Sequence, residues 1–284
     1  MSAVRPPGRP PWLKVRPPAG PAAERVADSL RRRGLRTVCR EARCPNLGEC
    51  WSAGTATVLV LGPSCTRACA FCAVSHGLPA PPDPGEPSRV AAAAAELGWK
   101  TLVVTSVTRD DLPDGGAGHF ARIVQALRGL PRPPEIELLV PDFGGSPDAL
   151  RTVVDARPDV LAHNVETVPR LYPRVRPGAV YARSLELLSR ARDMAPDLAL
   201  KSGLMAGFGE TRDELARVLE DLSAVGCRSV TLGQYLPPGP GHVPVAEYLA
   251  PEAFAELGET ARRLGFARVV SGPLVRSSYR PAAR

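Results

Sequence analysis

Seven cysteines stand in this 284-residue chain, and six of them form two compact triplets: Cys39, Cys44 and Cys50, then Cys65, Cys69 and Cys72. Cys227 stands apart. Disulfides do not persist in a reducing compartment, and a triplet cannot pair internally without a remainder. Structural zinc takes four ligands, commonly in close pairs of cysteines, and neither triplet supplies four. In CTRACAFC three residues and then two separate the cysteines, with an aromatic before the last. Three thiolates on one loop can ligate three irons of a four-iron cluster and leave the fourth open to a substrate. The first triplet, CREARCPNLGEC, is spaced by four and then five residues.

The elements that must position these cysteines read as repeated strand-helix units, the pattern of a parallel sheet. Strands are expected at 57–61, 101–107, 135–140, 160–163, 198–204 and 229–234, with a further short run at 267–270. Helices are expected at 22–33, 89–97, 118–128, 147–155, 182–194, 211–225 and 251–264, and the first triplet is read as a loop. Six units suggest a barrel. Polar residues gather where the strands end: Ser106, Arg109, Asp110 and Asp111; His163, Asn164 and Glu166; Lys201 and Ser202; Gln234. The C-terminal ends of parallel barrel strands carry active sites. Any one of these groups alone would read as a loop side chain bonded to backbone.

Composition bounds the rest. Hydrophobic residues are 44% and charged residues 23% of the chain, ordinary globular usage, so wholesale disorder is not expected. No apolar run approaches the roughly 18 residues of a bilayer span. Residues 1–21 are rich in proline and arginine, which argues against an amphipathic presequence helix, and an extended arm on a cytoplasmic protein is expected. The net charge of +7 suits an acidic partner, although lysine appears only as Lys14, Lys100 and Lys201, a sign that base composition also shapes the balance. No clustered basic helix, zinc-finger spacing or aromatic platform points to nucleic acid.

CTRACAFC after the first expected strand resembles the signature of the radical S-adenosylmethionine (SAM) superfamily, and Gly203, Met205, Gly207 and Glu210 resemble its glycine-rich pattern at the fifth strand. The first triplet, with PWLKV, TSVTRDDLPDGGAGHF, PDFGG, HNVETV, KSGLMAGFGET, TLGQYL and SGPLVRSSYR, resembles lipoyl synthases over nearly the whole chain. The resemblance implies an α/β fold: a partial (β/α)6 TIM-like barrel of radical SAM type at 56–270, an N-terminal cluster-bearing extension at 1–55, and a short C-terminal tail at 271–284. It implies two 4Fe-4S clusters, one on Cys65, Cys69 and Cys72 that cleaves SAM. The other, on Cys39, Cys44, Cys50 and Ser278, would donate two sulfur atoms to C6 and C8 of a protein-bound octanoyl-lysine.

Implied partners are octanoylated lipoyl carrier domains (2-oxoacid dehydrogenase E2 subunits and the glycine cleavage H protein), a ferredoxin or flavodoxin as electron donor, and an iron-sulfur carrier. Arg109, Asp110, Asn164, Glu166, Lys201 and Ser202 are the candidate SAM contacts. The histidines, His76, His119, His163 and His242, read as packing or loop groups, and Cys227 as a buried apolar residue. Arg40, Pro63 and the PPGPGH run before and at His242 depart from the family's usual residues. Another sulfur-inserting radical SAM enzyme, or a cluster carrier without chemistry, are the rival readings.

Overall fold

The computed structural model describes residues 8–15 and 17–279; the rest of the expected arm and the tail from Arg280 onward lie outside the described residues. Helix α1 (Pro21–Arg32) begins at a proline, whose missing N–H costs nothing in the first turn. It packs against the cysteine segment and the first barrel helix. Next come β1 (Arg36–Thr37) and two short helices, α2 (Val38–Glu41) and α3 (Leu47–Ser52). The stretch read as a loop is therefore partly helical. Thr37 caps α2 by accepting from the Arg40 N–H, and Trp51 of α3 is buried in the core.

The barrel starts at β2 (Thr57–Val60), a TVLV run buried along its whole length, as expected of a parallel strand covered on both faces. Two short strands, β3 (Ser64–Cys65) and β4 (Ser75–His76), pair with each other outside the main sheet. The alternation continues with α4 (Glu86–Leu97), β5 (Thr101–Ser106), α5 (Ala117–Arg128), β6 (Glu135–Leu139), α6 (Pro147–Asp155) and β7 (Val160–Ala162). After a short α7 (Tyr172–Val175) follow α8 (Tyr181–Met194), β8 (Ala199–Ala206), α9 (Arg212–Ala224), β9 (Ser229–Gln234), α10 (Pro251–Arg263) and β10 (Arg268–Ser271).

Local chemistry sets several boundaries. Ser146 caps α6, which opens on a proline, and Thr211 with Glu214 forms a capping box on α9. Gly98 closes α4 in the left-handed conformation.

The sheet has eight strands in the order β1-β2-β5-β6-β7-β8-β9-β10. Every pair is parallel except β1 with β2. Each new strand thus joins the edge left by its predecessor, and the first and last strands stay unpaired with each other. The result is six strand-helix units and a closing strand in an open barrel, the architecture the sequence implied. Apolar faces of the helices pack around the sheet in one continuous core that includes Val90, Phe120, Leu150, Leu188, Leu219 and Phe254.

Candidate functional site

A cavity of about 330 Å3 opens at the C-terminal ends of the strands, and Cys65, Cys69 and Cys72 line it. The chain leaves β2 through Leu61 (φ 67°) and Gly62 (φ 95°), a left-handed pair that turns it sharply over the barrel mouth. The β3–β4 pairing then folds the segment back, with the Gly77 N–H donating to the Cys65 carbonyl at 2.9 Å. The Cys65 sulfur accepts from the N–H groups of Arg67 (3.4 Å) and Thr108 (3.3 Å). Burial pushes the Cys69 thiol up, and the Cys72 thiol to about 12. Metal ligation replaces these protons. All seven cysteines are free.

The residues fit a cluster in their donor set: three free thiols around one cavity, with N–H donors already aimed at a sulfur. Among the described residues no group of three or more His, Cys, Asp or Glu side chains forms a site for a single metal ion.

The first triplet is assembled from two helices. Cys39 lies in α2, Cys50 in α3, and Cys44 between them, its N–H bonded to the Cys39 carbonyl at 3.0 Å. Together they line a smaller cavity whose remaining wall includes Arg276, Ser278 and Tyr279 from the other end of the chain. Two hydrogen bonds fasten that end. Asn46 Nδ2 donates to the Leu274 carbonyl (2.6 Å) and the Tyr279 hydroxyl to Glu49 Oε1 (2.8 Å). Burial raises the Cys44 thiol and takes Cys50 to about 12. Cys39, Cys44 and Ser278 also line the larger cavity, while Cys50 lines the smaller one alone, so the two cavities adjoin through shared walls.

Of the six polar side chains expected to meet SAM, Asn164 and Glu166 line this space. Asn164 Nδ2 donates to Glu166 Oε1 at 3.0 Å, while its buried Oδ1 has no partner. Burial pushes the Glu166 carboxyl up, against the opposing pull of Arg176. Gly203 leaves the room: a Cβ there would stand 2.7 Å from Asn164 Oδ1 and 2.8 Å from Thr231 Oγ1. Gly207 and Glu210 form a turn in which the carboxylate accepts from the N–H groups of Gly207 (2.5 Å) and Phe208 (2.9 Å).

The other four candidates sit elsewhere. Lys201 points into the barrel and donates to both oxygens of Glu137, at 2.7 and 2.9 Å. Ser202 is fully buried, off the cavity wall, with its hydroxyl unpartnered. Arg109 is buried and grips Asp111 and the Leu61 carbonyl. Asp110 holds Arg67. Three histidines take the packing roles expected of them: His119 meets Glu86, His163 bridges the Val140 carbonyl and Ser184, and His242 the Gly239 and Cys72 carbonyls. Cys227 is buried, as expected, with its thiol pushed to about 12.

Sequence reasoning passed over four arginines on the cavity wall: Arg43, Arg67, Arg176 and Arg276. Arg176 donates to the carbonyls of Asn164 and Val165 and to the Tyr172 hydroxyl. Each lies in or near a motif that had been noticed, but arginine is so common in this chain that its type carried no signal.

Residues 59–222 match the model of the radical SAM superfamily. The lipoyl synthase of Methylococcus capsulatus is 54% identical over 272 residues, covering 95% of this chain and 84% of that protein. That of Caldanaerobacter subterraneus is 53% identical over 271 residues, covering 95% of each. Among solved structures, methylornithine synthase superposes with a TM-score of 0.58 at 15% identity, covering 75% of this chain and 63% of that one. HydG, a hydrogenase maturase, gives 0.56 at 14%, covering 74% and 50%. At such identities the structures speak for the fold alone. The sequence relatives speak for more: matched over 95% of its length with about half of the aligned positions identical, and with the superfamily signature folded over a barrel mouth, the chain belongs to the lipoyl synthase family.

Proposed function

We propose that the larger cavity is where SAM and an octanoyl chain meet, with Cys65, Cys69 and Cys72 holding the SAM-cleaving cluster and Cys39, Cys44, Cys50 and Ser278 the cluster that is consumed as sulfur source. The activity is the family's: insertion of two sulfur atoms, at C6 and C8, into a protein-bound octanoyl-lysine, with SAM and two 4Fe-4S clusters. When bound, the first cluster and SAM supply an alkyl radical strong enough to take hydrogen from an unactivated carbon.

The chain's own residues do the rest. Asn164 and Glu166 form the polar wall that takes SAM's hydroxyl or amino groups, with the free Asn164 oxygen available as an acceptor. Arg176 holds the backbone of this wall in place, and the carboxylate of Glu166 offsets its charge. Arg109, Asp110, Lys201 and Ser202 support the site from behind without touching SAM. Leu59, Val107, Leu139, Val140 and Leu236 give the cavity an apolar lining suited to an alkyl chain and poor for water. Residues 1–55 and 271–284 act together as the carrier of the second cluster on the 56–270 barrel.

Ser278 would be the exchangeable ligand of that cluster. A serine oxygen binds iron less tenaciously than a thiolate once protonated, so of the four residues it would be the one best suited to give up its iron.

The substrate is an octanoylated lipoyl carrier domain, such as an E2 subunit or the glycine cleavage H protein. A ferredoxin or flavodoxin supplies electrons, an iron-sulfur carrier rebuilds the second cluster, and the setting is the cytoplasm. Among the described residues no helix is long and apolar enough to cross a membrane.

The observation that carries this reading is that Cys39 and Cys44 share a cavity with all of the second triplet, and that Ser278 of the tail lines both this cavity and the smaller one that holds the first triplet. Iron and sulfide counts test it. Replacing Cys39, Cys44 and Cys50 by alanine is expected to remove one cluster and spare SAM cleavage, and replacing the second triplet to abolish cleavage. Cleavage that survives loss of the second triplet would refute the assignment.

A further inference from the structure

The residue between Cys65 and Cys69 that binds most tightly to its surroundings is Arg67. Its Nε and Nη2 donate to Asp110 at 2.8 and 2.7 Å, and its Nη1 and Nη2 to Asp142 at 2.9 and 2.7 Å. The guanidinium thus makes a two-bond fork with a carboxylate after β5 and another with a carboxylate after β6. The arrangement is enclosed: the Arg67 side chain is 11% exposed and that of Asp142 2%.

Thr66, one residue earlier, ties the same loops. Its N–H donates to the Thr108 carbonyl at 3.0 Å, and its hydroxyl accepts from the Asp110 N–H at 3.1 Å. The Thr108 N–H in turn reaches the Cys65 sulfur at 3.3 Å. Thr108–Asp111 is therefore a mould against which the cysteine loop is pressed.

We infer that Arg67 is a positioning residue that locks the Cys65 loop to the loops after β5 and β6, holding Cys65 where the Thr108 N–H donates to its sulfur. This rests on the reading that Cys65, Cys69 and Cys72 hold a cluster. Lysine cannot replace the lock, because one ammonium presents no planar fork and cannot serve two carboxylates with paired bonds. Hydrogen bonds to cluster sulfur favour the reduced, more negative state and so raise the reduction potential. Freeing the loop weakens the Thr108 bond, and the cluster becomes harder to reduce.

The test uses the full chain with Cys39, Cys44 and Cys50 replaced by alanine, so that one cluster remains to be observed, with iron and sulfide counts, EPR of the reduced state and a redox titration. Arg67→Lys is expected to shift the midpoint potential to more negative values and to alter the EPR g-values. Asp110→Glu, at a side chain 42% exposed, keeps the charge but moves the carboxylate off the fork, and is expected to shift the potential in the same direction and by less. Arg183→Lys removes another Asp142 partner that does not touch the loop, and is expected to leave potential and spectrum unchanged.

An Arg67→Lys cluster with the parent's potential and spectrum overturns the inference. If Arg67→Lys holds no cluster, Asp110→Glu decides: a negative shift supports the lock and an unchanged potential overturns it. A shift in Arg183→Lys as large as that in Arg67→Lys would likewise overturn it, since the effect would then belong to Asp142 alone. If the parent with Arg67 intact binds no cluster, the reading of the second triplet fails, and the inference with it.

Discussion

Replacing Lys201 by methionine separates a structural role from a ligand-binding one. The Lys201 ammonium and the Glu137 carboxylate meet at 2.7 and 2.9 Å inside the barrel, with side chains 8% and 5% exposed. Removing the ammonium leaves a buried carboxylate without its partner. Breaking such a pair from one side costs about 3–5 kcal/mol. At roughly 2–4 °C per kcal/mol for a chain of about this size, the melting temperature should fall by roughly 6–20 °C.

The double replacement Lys201→Met, Glu137→Leu removes both charges and should recover most of the loss, because a buried pair exchanged for apolar groups of similar volume is often neutral or better. Anaerobic urea unfolding of the cluster-free chain, read as a double-mutant cycle, measures the coupling. SAM affinity of the reconstituted double variant should stay close to that of the parent. A loss below about 1 kcal/mol for Lys201→Met would refute the buried-pair argument. A double variant that is stable but no longer binds SAM would refute the claim that Lys201 supports the site from behind.

Three further outcomes are expected. Gly203→Ala drives a methyl group against Asn164 Oδ1 and Thr231 Oγ1, an overpacking cost of about 1–3 kcal/mol, so SAM affinity measured by calorimetry should weaken roughly tenfold or more. Burial alone pushes the Asp142 carboxyl up, but Arg67, with the Gly144 N–H, brings it down to about 2. Because its folded value lies below its ordinary one, its contribution to stability is full above about pH 4 and lost as pH falls toward 2. Asp142→Asn should therefore flatten acid unfolding in that window, and a profile parallel to the parent's would contradict the assignment. Ser278→Ala should keep 5'-deoxyadenosine production and lose sulfur insertion, as checked by chromatography and peptide mass; full insertion would remove Ser278 from the second site.

Long periodic elements were legible before any coordinates. The strand at Ser229–Gln234 and the helix at Pro147–Asp155 appear with the expected bounds, because turn residues and a capping serine delimit apolar runs of the right period. The short elements around the cysteines, β1, β3, α2 and α3, were not. Runs that short carry no periodicity, and pairing with distant parts of the chain decides them.

The cysteines announced themselves by type and spacing, but the polar contacts depended on where each strand ends. Strand β8 runs to Ala206, two residues past the expected Leu204, so Lys201 lies deep in the barrel instead of at its mouth. Ser202, its neighbour on the strand, faces the opposite way. Arg109 and Asp110 sit beyond β5 as expected, yet nearby partners hold them: Asp111 and the Leu61 carbonyl for the first, Arg67 for the second. Spacing reveals which residues share a loop; which of two neighbours a guanidinium chooses is settled by folding.

The central claim is that one cavity joins SAM cleavage to sulfur insertion, and the most direct measurement follows both products at once. Reconstituted, reduced protein is incubated without oxygen with SAM and an octanoyl-lysine peptide, and 5'-deoxyadenosine and peptide mass are recorded together. The account predicts a peptide carrying two sulfur atoms in place of two hydrogens, with about two deoxyadenosines formed for each product, one for each hydrogen removed. Deoxyadenosine accumulating while the peptide mass stays unchanged, in protein shown to hold both clusters, would contradict it.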